Sequence, residues 1–117
     1  MMHQIVKRAK IIGTGSYVPE KIYTNEYLET IVDTNADWIY ETLGIKERRI
    51  TGKDEATSDL AWKAGQEAIE DARLNVKDID LIIVATATPD RLAPSTACFV
   101  QDKLKAYNAV AFDLSAV

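Results

Sequence analysis

The chain holds one cysteine, Cys98, and one histidine, His3, so the first chemistry to consider is that of a thiol nucleophile. Such a thiol needs a general base beside it, and His3 stands near a terminus that we expect to be frayed. Cys98 lies inside an apolar helical pattern, which favours a small buried hydrophobic side chain. One cysteine excludes an internal disulfide and one histidine excludes a histidine-rich metal site, so we expect no metal centre.

Trp38 and Thr34 could together bind a ligand. Trp38 lies on the apolar face of a predicted helix, where core packing is the usual role, and Thr34 or Asn35 can cap that helix. Alternatively, the indole stacks on a flat ring while Thr34 and the helix start present donors to the same ligand. The spacing leaves both interpretations open.

The charged residues Lys46, Arg48 and Arg49 form the one basic cluster of the chain. A solvated surface is the usual explanation of such a cluster. A phosphate or acidic-partner contact is the alternative, because guanidinium groups pair with phosphate oxygens bidentately. Asp113 lies near the end of an apolar strand and has no partner carboxylate close in sequence, so we expect backbone donors to hold it.

A glycine pair, Gly13 and Gly15, follows the first predicted strand. A dinucleotide-binding fingerprint would need a third glycine at position 18, which is Val18, and an immediate helix, whereas Pro19 extends a loop. We therefore interpret the pair as a turn that needs permissive backbone angles.

Composition sets the class of protein. The chain has 117 residues, 47% of them hydrophobic, with 14 Lys and Arg against 18 Asp and Glu, and a net charge of −4. This describes one globular α/β-type unit, and it makes nucleic acid an unexpected partner. No apolar stretch approaches the roughly 18 residues of a membrane span, and the start lacks the apolar middle of a secretion signal, so we expect a cytoplasmic protein.

The elements that must position these residues follow the order strand, helices, strand, helix, strand, which is typical of a parallel α/β sheet. The central helix carries a stripe of small residues, which would let another backbone approach closely. The strand LIIVA is continuously apolar, as expected when both faces of a sheet are covered. The predicted strands are Ala9–Gly13, Leu81–Ala85 and Ala109–Val117, and Lys46–Ile50 is an edge strand or a loop. A loop is predicted over Thr14–Thr24. The predicted helices are two short ones around Tyr27–Val32 and Trp38–Leu43, a longer one from Thr57 or Ser58 to about Arg73, and one that begins near Pro94.

The chain stops in or just beyond an apolar strand, at Val117. Ligands of open α/β sheets bind just past the carboxyl ends of the strands. We therefore expect the sequence to be a fragment that ends where chemistry would begin.

Seven blocks of sequence occur in an order that resembles the amino-terminal part of the β-ketoacyl-acyl-carrier-protein synthase III family, of the thiolase-like superfamily. They are GTGSYVPE, TNEYLETIVDTNADWI, LGIKERRI, TSDLA, LIIVATATP, PSTAC and AFDLSA. The resemblance covers the chain from about Ile11 to Val117.

This resemblance implies a thiolase-like αβαβα fold, of which residues 1–117 would be an incomplete amino-terminal half with no second domain. It implies a homodimer without a cofactor that condenses an acyl-CoA primer with malonyl-acyl-carrier-protein. The family nucleophile, a cysteine, would follow directly after Val117, and the family histidine and asparagine would lie far downstream, so no catalytic residue falls in this chain. In this family, equivalent helices of the two halves would meet at the small-residue stripe, so the isolated chain is expected to leave that stripe unpaired and to fold poorly.

Three positions carry substrate-binding roles over from the family. Trp38 matches the tryptophan that packs on the CoA adenine, Thr34 matches a threonine at the mouth of that site, and Ala93 matches a position that reaches the acyl tunnel of the partner subunit. The arginine and threonine that usually follow are here Thr42 and Leu43, whereas Lys46 keeps a positive charge. A bulky ring at position 93 would restrict the primer to short chains, so Ala93 predicts a primer larger than acetyl.

Two alternatives remain at this stage. Thr42 and Leu43 are compatible with a paralogous condensing enzyme that primes secondary-metabolite synthesis from another thioester. The chain is also compatible with a non-catalytic α/β binding module.

Overall fold

Two small sheets and four α-helices form the structure, a computed structural model that describes residues 8–116, so His3 and Val117 lie outside the described part. The elements are β1 (Lys21–Thr24), α1 (Asn25–Glu29), α2 (Ala36–Leu43), β2 (Glu47–Ile50), α3 (Thr57–Asp71), a 3-10 helix (Val76–Asp78), β3 (Leu81–Ala85), α4 (Thr96–Leu104) and β4 (Val110–Leu114).

The second half of the chain is a parallel strand–helix–strand unit. Strand β3 pairs with β4 in parallel, with Leu81 opposite Val110 and Ala85 opposite Leu114. Helix α4 connects the strands and packs on both of them, and α3 packs on α4. The predicted parallel α/β arrangement is therefore confirmed for these two strands.

Only one face of this sheet is covered by the described residues, so burial of β3 on its second face stays a prediction that depends on segments outside residues 8–116. Leu81 and Ile83 are each 49% exposed, and Phe112 on β4 is 43% exposed. Their side chains alternate with Ile82, Val84 and Ala111, which are half-buried. The continuous apolar run of β3 thus marks a strand whose second face is left open by residues 8–116.

The first predicted strand, Ala9–Gly13, was wrong, because the structure assigns no strand to these residues. The backbone N–H of Thr14 donates to Asp71 Oδ2 at 2.9 Å, and that of Ser16 donates to Glu67 Oε2 at 2.8 Å. Side chains of α3, rather than a neighbouring strand, therefore satisfy this backbone.

The glycine pair allows this segment to lie directly on α3. A Cβ on Gly13 would come within 2.5 Å of the carbonyl oxygen of Ala68, and one on Gly15 within 2.2 Å of that of Ala64. The predicted close approach of another backbone to the small-residue stripe is confirmed. The pairing of this stripe with an equivalent helix of a second half stays a prediction. The expectation that the glycine pair needs unusual backbone angles was wrong: among the described glycines only Gly44 has a positive φ.

The first half of the chain forms an antiparallel ribbon beside two short helices. Strand β1 pairs with β2, with Lys21 opposite Ile50 and Thr24 opposite Glu47. Strand β1 lies inside the predicted loop Thr14–Thr24, whereas β2 agrees with the predicted edge strand.

Within residues 8–116 the hydrophobic core is small. The buried apolar residues are Ile39, Ala97, Val100, Ala106 and Ala109. The radius of gyration is 18.7 Å, whereas a compact domain of this length would have about 13 Å. No described helix is both long and apolar enough to cross a membrane.

Candidate functional site

The candidate site centres on Trp38 in the first turn of α2. The side chain of Asn35 accepts a hydrogen bond from the Trp38 N–H at 3.0 Å, so Asn35 is the N-cap, and Thr34 beside it is half-buried. Glu29 Oε1 accepts the N–H of Ala36 at 2.6 Å. The side chains of Glu29 and Asn35 thus accept hydrogen bonds from two backbone N–H groups in the first turn of α2, and they fix the turn that carries Trp38.

Trp38 is an exposed side chain, which contradicts its interpretation as a core residue. It is 58% exposed, whereas the next residue, Ile39, is 5% exposed and anchors the helix. Ile31 and Val32, in the connection between α1 and α2, are also exposed. A large exposed indole on a capped helix can stack on a planar group of a ligand.

Thr42 and Leu43 lie exposed at the end of the same helix. Thr42 is four residues after Trp38, so the two side chains share one face of α2. Gly44 ends the helix with φ of 69°, as predicted from its sequence position.

Two of the three cationic residues of the basic cluster bond to the protein itself. Arg48 donates to the Tyr23 carbonyl at 3.3 Å and to Asn25 Oδ1 at 2.8 Å, and Arg49 donates to the Pro19 carbonyl at 3.1 Å. The Lys46 ammonium stands 5.5 Å from the ring centroid of Tyr40. The structural role of the arginines accounts for their positions without a phosphate ligand.

A cavity of about 350 Å³ lies beside α2 and carries charge of both signs. Its lining residues are Asn25, Glu26, Ala36, Asp37, Tyr40 and Lys46. The pKa of Glu26 is lowered, first by its own backbone N–H at the start of α1 and then by the Thr24 hydroxyl.

The third substrate-binding candidate, Ala93, lies in the exposed loop between β3 and α4, far along the chain from Trp38. This loop is held at its base. The Thr57 hydroxyl donates to the Thr88 carbonyl at 2.7 Å, Asp90 Oδ1 accepts the Ser58 N–H at 2.9 Å, and the Asp90 N–H donates to the buried Thr96 hydroxyl at 3.1 Å. Ala93 is therefore presented outward from an anchored loop.

The backbone donors predicted to hold Asp113 are those of α4. Its two carboxylate oxygens accept the N–H groups of Thr96 and Ala97, each at 2.7 Å, at the start of that helix. The expectation for Asp113 is confirmed, and its carboxylate joins the end of β4 to α4. Cys98 is half-buried, with Sγ 3.2 Å from Ser95 Oγ, so it is less enclosed than the predicted buried hydrophobe.

Sequence reasoning missed Asn25 and Asp90. Asn25 is 4% exposed and Asp90 bonds to both α3 and α4, yet each looks in sequence like an ordinary turn or cap residue. No periodic pattern marks such residues, because some of their partners are distant in sequence: the Ile45 carbonyl lies 20 positions from Asn25, and the Ser58 N–H lies 32 positions from Asp90.

Comparison with known proteins gives consistent matches. The chain is 59% identical over 109 residues to the β-ketoacyl-acyl-carrier-protein synthase III of Clostridioides difficile, covering 93% of this chain and 33% of that protein. The crystal structure of 3-oxoacyl-acyl-carrier-protein synthase III from Aquifex aeolicus matches with a TM-score of 0.86 at 52% identity, covering 92% of this chain and 34% of that one. The priming β-ketosynthase of a polyketide biosynthetic pathway matches with a TM-score of 0.88 at 32% identity, covering 99% and 35%.

No family model matches the chain. The matches to named proteins nevertheless confirm the resemblance drawn from the seven sequence blocks, and the thiolase-like fold class with it. Each matched protein is named as a synthase, that is, as an enzyme. The chain spans about a third of the length of the curated relatives it matches.

Proposed function

We propose, from the premise that this chain is the amino-terminal part of a β-ketoacyl-acyl-carrier-protein synthase III, that the whole protein is an acyltransferase that initiates fatty-acid synthesis. It would condense an acyl-CoA primer with malonyl-acyl-carrier-protein. The observation that carries this proposal is the exposed indole of Trp38, at the position where the resemblance places the CoA adenine.

In this proposal, residues 1–117 are an incomplete amino-terminal half, and the nucleophilic cysteine follows Val117. The thiolate attacks the thioester carbonyl of the primer, and CoA leaves as its thiol. Malonyl-acyl-carrier-protein then loses CO₂, and the resulting carbanion attacks the enzyme thioester and releases the cysteine. The oxyanion of each addition needs fixed hydrogen-bond donors, which this family would place on later parts of the chain.

The assembly belongs to the same proposal. The protein would be a cytoplasmic homodimer that needs no cofactor, with Trp38 and Thr34 at the CoA site. Ala93 would reach the acyl tunnel of the partner subunit, and its exposed position on an anchored loop supports this role.

A deletion of the indole tests the proposed CoA site. In the full-length enzyme, we expect Trp38→Ala to raise KM for an acyl-CoA about tenfold with little change in kcat, because the lost stacking contributes mainly to binding. The matched control is Trp62→Phe on α3, a half-buried tryptophan outside the site. Equal KM values for Trp38→Ala and wild type would contradict the proposal, as would the absence of condensation with malonyl-acyl-carrier-protein.

Primer length tests the role of Ala93. We expect the enzyme to transfer a medium-chain acyl group at least as fast as acetyl, and Ala93→Phe to shift the preference toward acetyl by filling the tunnel. Transfer rates with the two thioesters give the answer, and a strong acetyl preference of the unmodified enzyme would contradict this expectation.

The second candidate is a paralogous enzyme that primes secondary-metabolite synthesis from another thioester. Thr42 and Leu43 favour it, because neither side chain offers the cation that usually completes the adenine contact. The structural match to a priming β-ketosynthase is in keeping with it. A panel of acyl-CoA and acyl-carrier-protein primers separates the two candidates.

A further inference from the structure

Asn25 is a buried polar residue that the proposed reaction does not use. It stands at the start of α1 and is 4% exposed. Its Nδ2 donates to the Ile45 carbonyl at 2.8 Å and, more weakly, to that of Ala36 at 3.5 Å, while its Oδ1 accepts from Arg48 Nη2 at 2.8 Å. One side chain therefore joins α1, the start of α2, the turn that follows α2, and strand β2.

These contacts hold the helix that carries Trp38. Ala36 is the first residue of α2, and the left-handed Gly44 turns the chain so that the Ile45 carbonyl comes back to the same amide. Arg48 is itself fixed by the Tyr23 carbonyl. The direction of α2 is thus tied to the β1–β2 ribbon through Asn25.

Little apolar packing would replace this polar connection. Ile39 is the only residue of α2 that is buried among the described residues. Asn25 and Ala36 both line the cavity of about 350 Å³. Without the amide, α2 has room to move and few contacts that would prevent it.

We propose that Asn25, supported by Arg48, is a positioning residue that fixes how α2 presents Trp38. It thereby sets the preference of the enzyme for a thioester carrying a nucleotide over one that lacks it. This inference rests on the proposed function, in which Trp38 stacks on the CoA adenine.

The test compares acyl-CoA with the corresponding acyl-pantetheine, which has the same thioester but no nucleotide. In the full-length enzyme, we expect Asn25→Ala to lower the ratio of kcat/KM values, CoA over pantetheine, at least fivefold, with the loss in KM for acyl-CoA and not in kcat. Because both substrates use the same nucleophile, general damage to the fold would lower both values and leave the ratio unchanged. The matched control is Asn75→Ala, which removes an asparagine that caps the 3-10 helix after α3.

The outcomes separate this inference from the proposed function. If Trp38→Ala abolishes the preference and Asn25→Ala leaves the ratio unchanged, the positioning role is wrong and the CoA site stands. If the unmodified enzyme shows no preference for acyl-CoA, the proposed site itself fails, and the inference with it. Should Asn25→Ala not fold, Arg48→Lys is measured by the same ratio. Arg48 uses one terminal nitrogen for the Tyr23 carbonyl and the other for Asn25, and lysine has only one such nitrogen.

Discussion

At the scale of single residues, Gly15 shows which features could be predicted from the sequence and which could not. The pattern Gly-x-Gly after a strand is typical of a turn, and nothing in it indicates which surface the backbone touches. The small-residue stripe of α3 predicts that some backbone approaches it, but not which one. In the structure, the backbone that approaches the stripe is that of the glycine pair: Gly15 lies so close to Ala64 and Ala68 that a side chain would not fit.

A substitution at this contact has a predictable cost. A Cβ on Gly15 would lie 2.2 Å from the Ala64 carbonyl oxygen and 2.4 Å from the Ala68 nitrogen, so backbone must move. We expect Gly15→Ala to lower the free energy of unfolding by about 1–3 kcal/mol, measured by urea denaturation. The control is Gly52→Ala, where nothing lies within 4 Å of the added carbon and φ is not positive. Equal stability of the two variants would show that the segment does not rest on α3.

At the scale of elements, Asp113 connects a strand end to a helix start. The sequence predicts that this carboxylate has backbone donors but not that they belong to α4, because Thr96 lies 17 positions before Asp113. The negative charge of Asp113 also lies at the positive end of the dipole of α4, where it is favourable. Both effects favour the same placement of α4 on the sheet.

Removing this carboxylate should therefore weaken the strand–helix unit. Asp113→Ala leaves the N–H groups of Thr96 and Ala97 without their acceptors, and Thr96 is fully buried. We expect the free energy of unfolding, measured by urea denaturation, to fall by about 1–3 kcal/mol. Asp102→Ala, at the exposed end of the same helix, removes only exposed contacts, an ion pair with Lys105 at 3.5 Å and a hydrogen bond from the Tyr107 hydroxyl at 3.1 Å, and should cost less, about 0.5 kcal/mol. A neutral result for Asp113→Ala would contradict its structural role.

A second connection between elements depends on pH. The Tyr17 hydroxyl and the Lys63 ammonium both donate to Glu55 Oε1, at 2.8 and 3.0 Å, and join the first segment to α3. Lys63 first, and then Tyr17, lower the pKa of Glu55 below its ordinary value of 4.5. A lowered pKa in the folded state means that this stabilisation is present above pH 4.5 and is lost as the pH falls through the folded value.

Glu55→Gln should therefore make stability less dependent on pH below about 4.5. Unfolding midpoints at several pH values in low salt measure this, and salt should reduce the difference between the variants. Tyr17→Phe keeps the ring beside Lys63 but removes one donor to Glu55 and the oxygen that accepts from Lys63. Because the Lys63–Glu55 pair remains, its effect should have the same sign and be smaller. The slope that remains would come from the other carboxylates with lowered pKa values, Asp59, whose pKa Lys103 lowers, and Glu26. Parallel curves for Glu55→Gln and wild type would contradict the assignment.

At the scale of the whole molecule, the order of elements from α1 to β4 could be predicted, whereas β1 and the extent of burial could not. The apolar run Leu81–Ala85 correctly predicts a strand of a parallel sheet. Whether both faces are covered depends on segments outside the run, and among residues 8–116 only one face is covered. The exposed face carries Leu81, Ile83, Val110, Phe112 and Leu114.

This open sheet face, rather than the small-residue stripe, determines how the 117-residue chain behaves by itself. Contiguous apolar side chains on a sheet favour association in water. We expect the isolated chain to self-associate in sedimentation velocity and to bind a hydrophobic dye. The double variant Ile83→Thr with Phe112→Thr should shift it toward monomer, because threonine keeps β-propensity while reducing apolar area. The control is Leu92→Thr, which changes a fully exposed leucine in the loop before α4 and leaves the sheet face intact. A monomeric chain with a cooperative thermal transition and no dye binding would show that the face needs no cover.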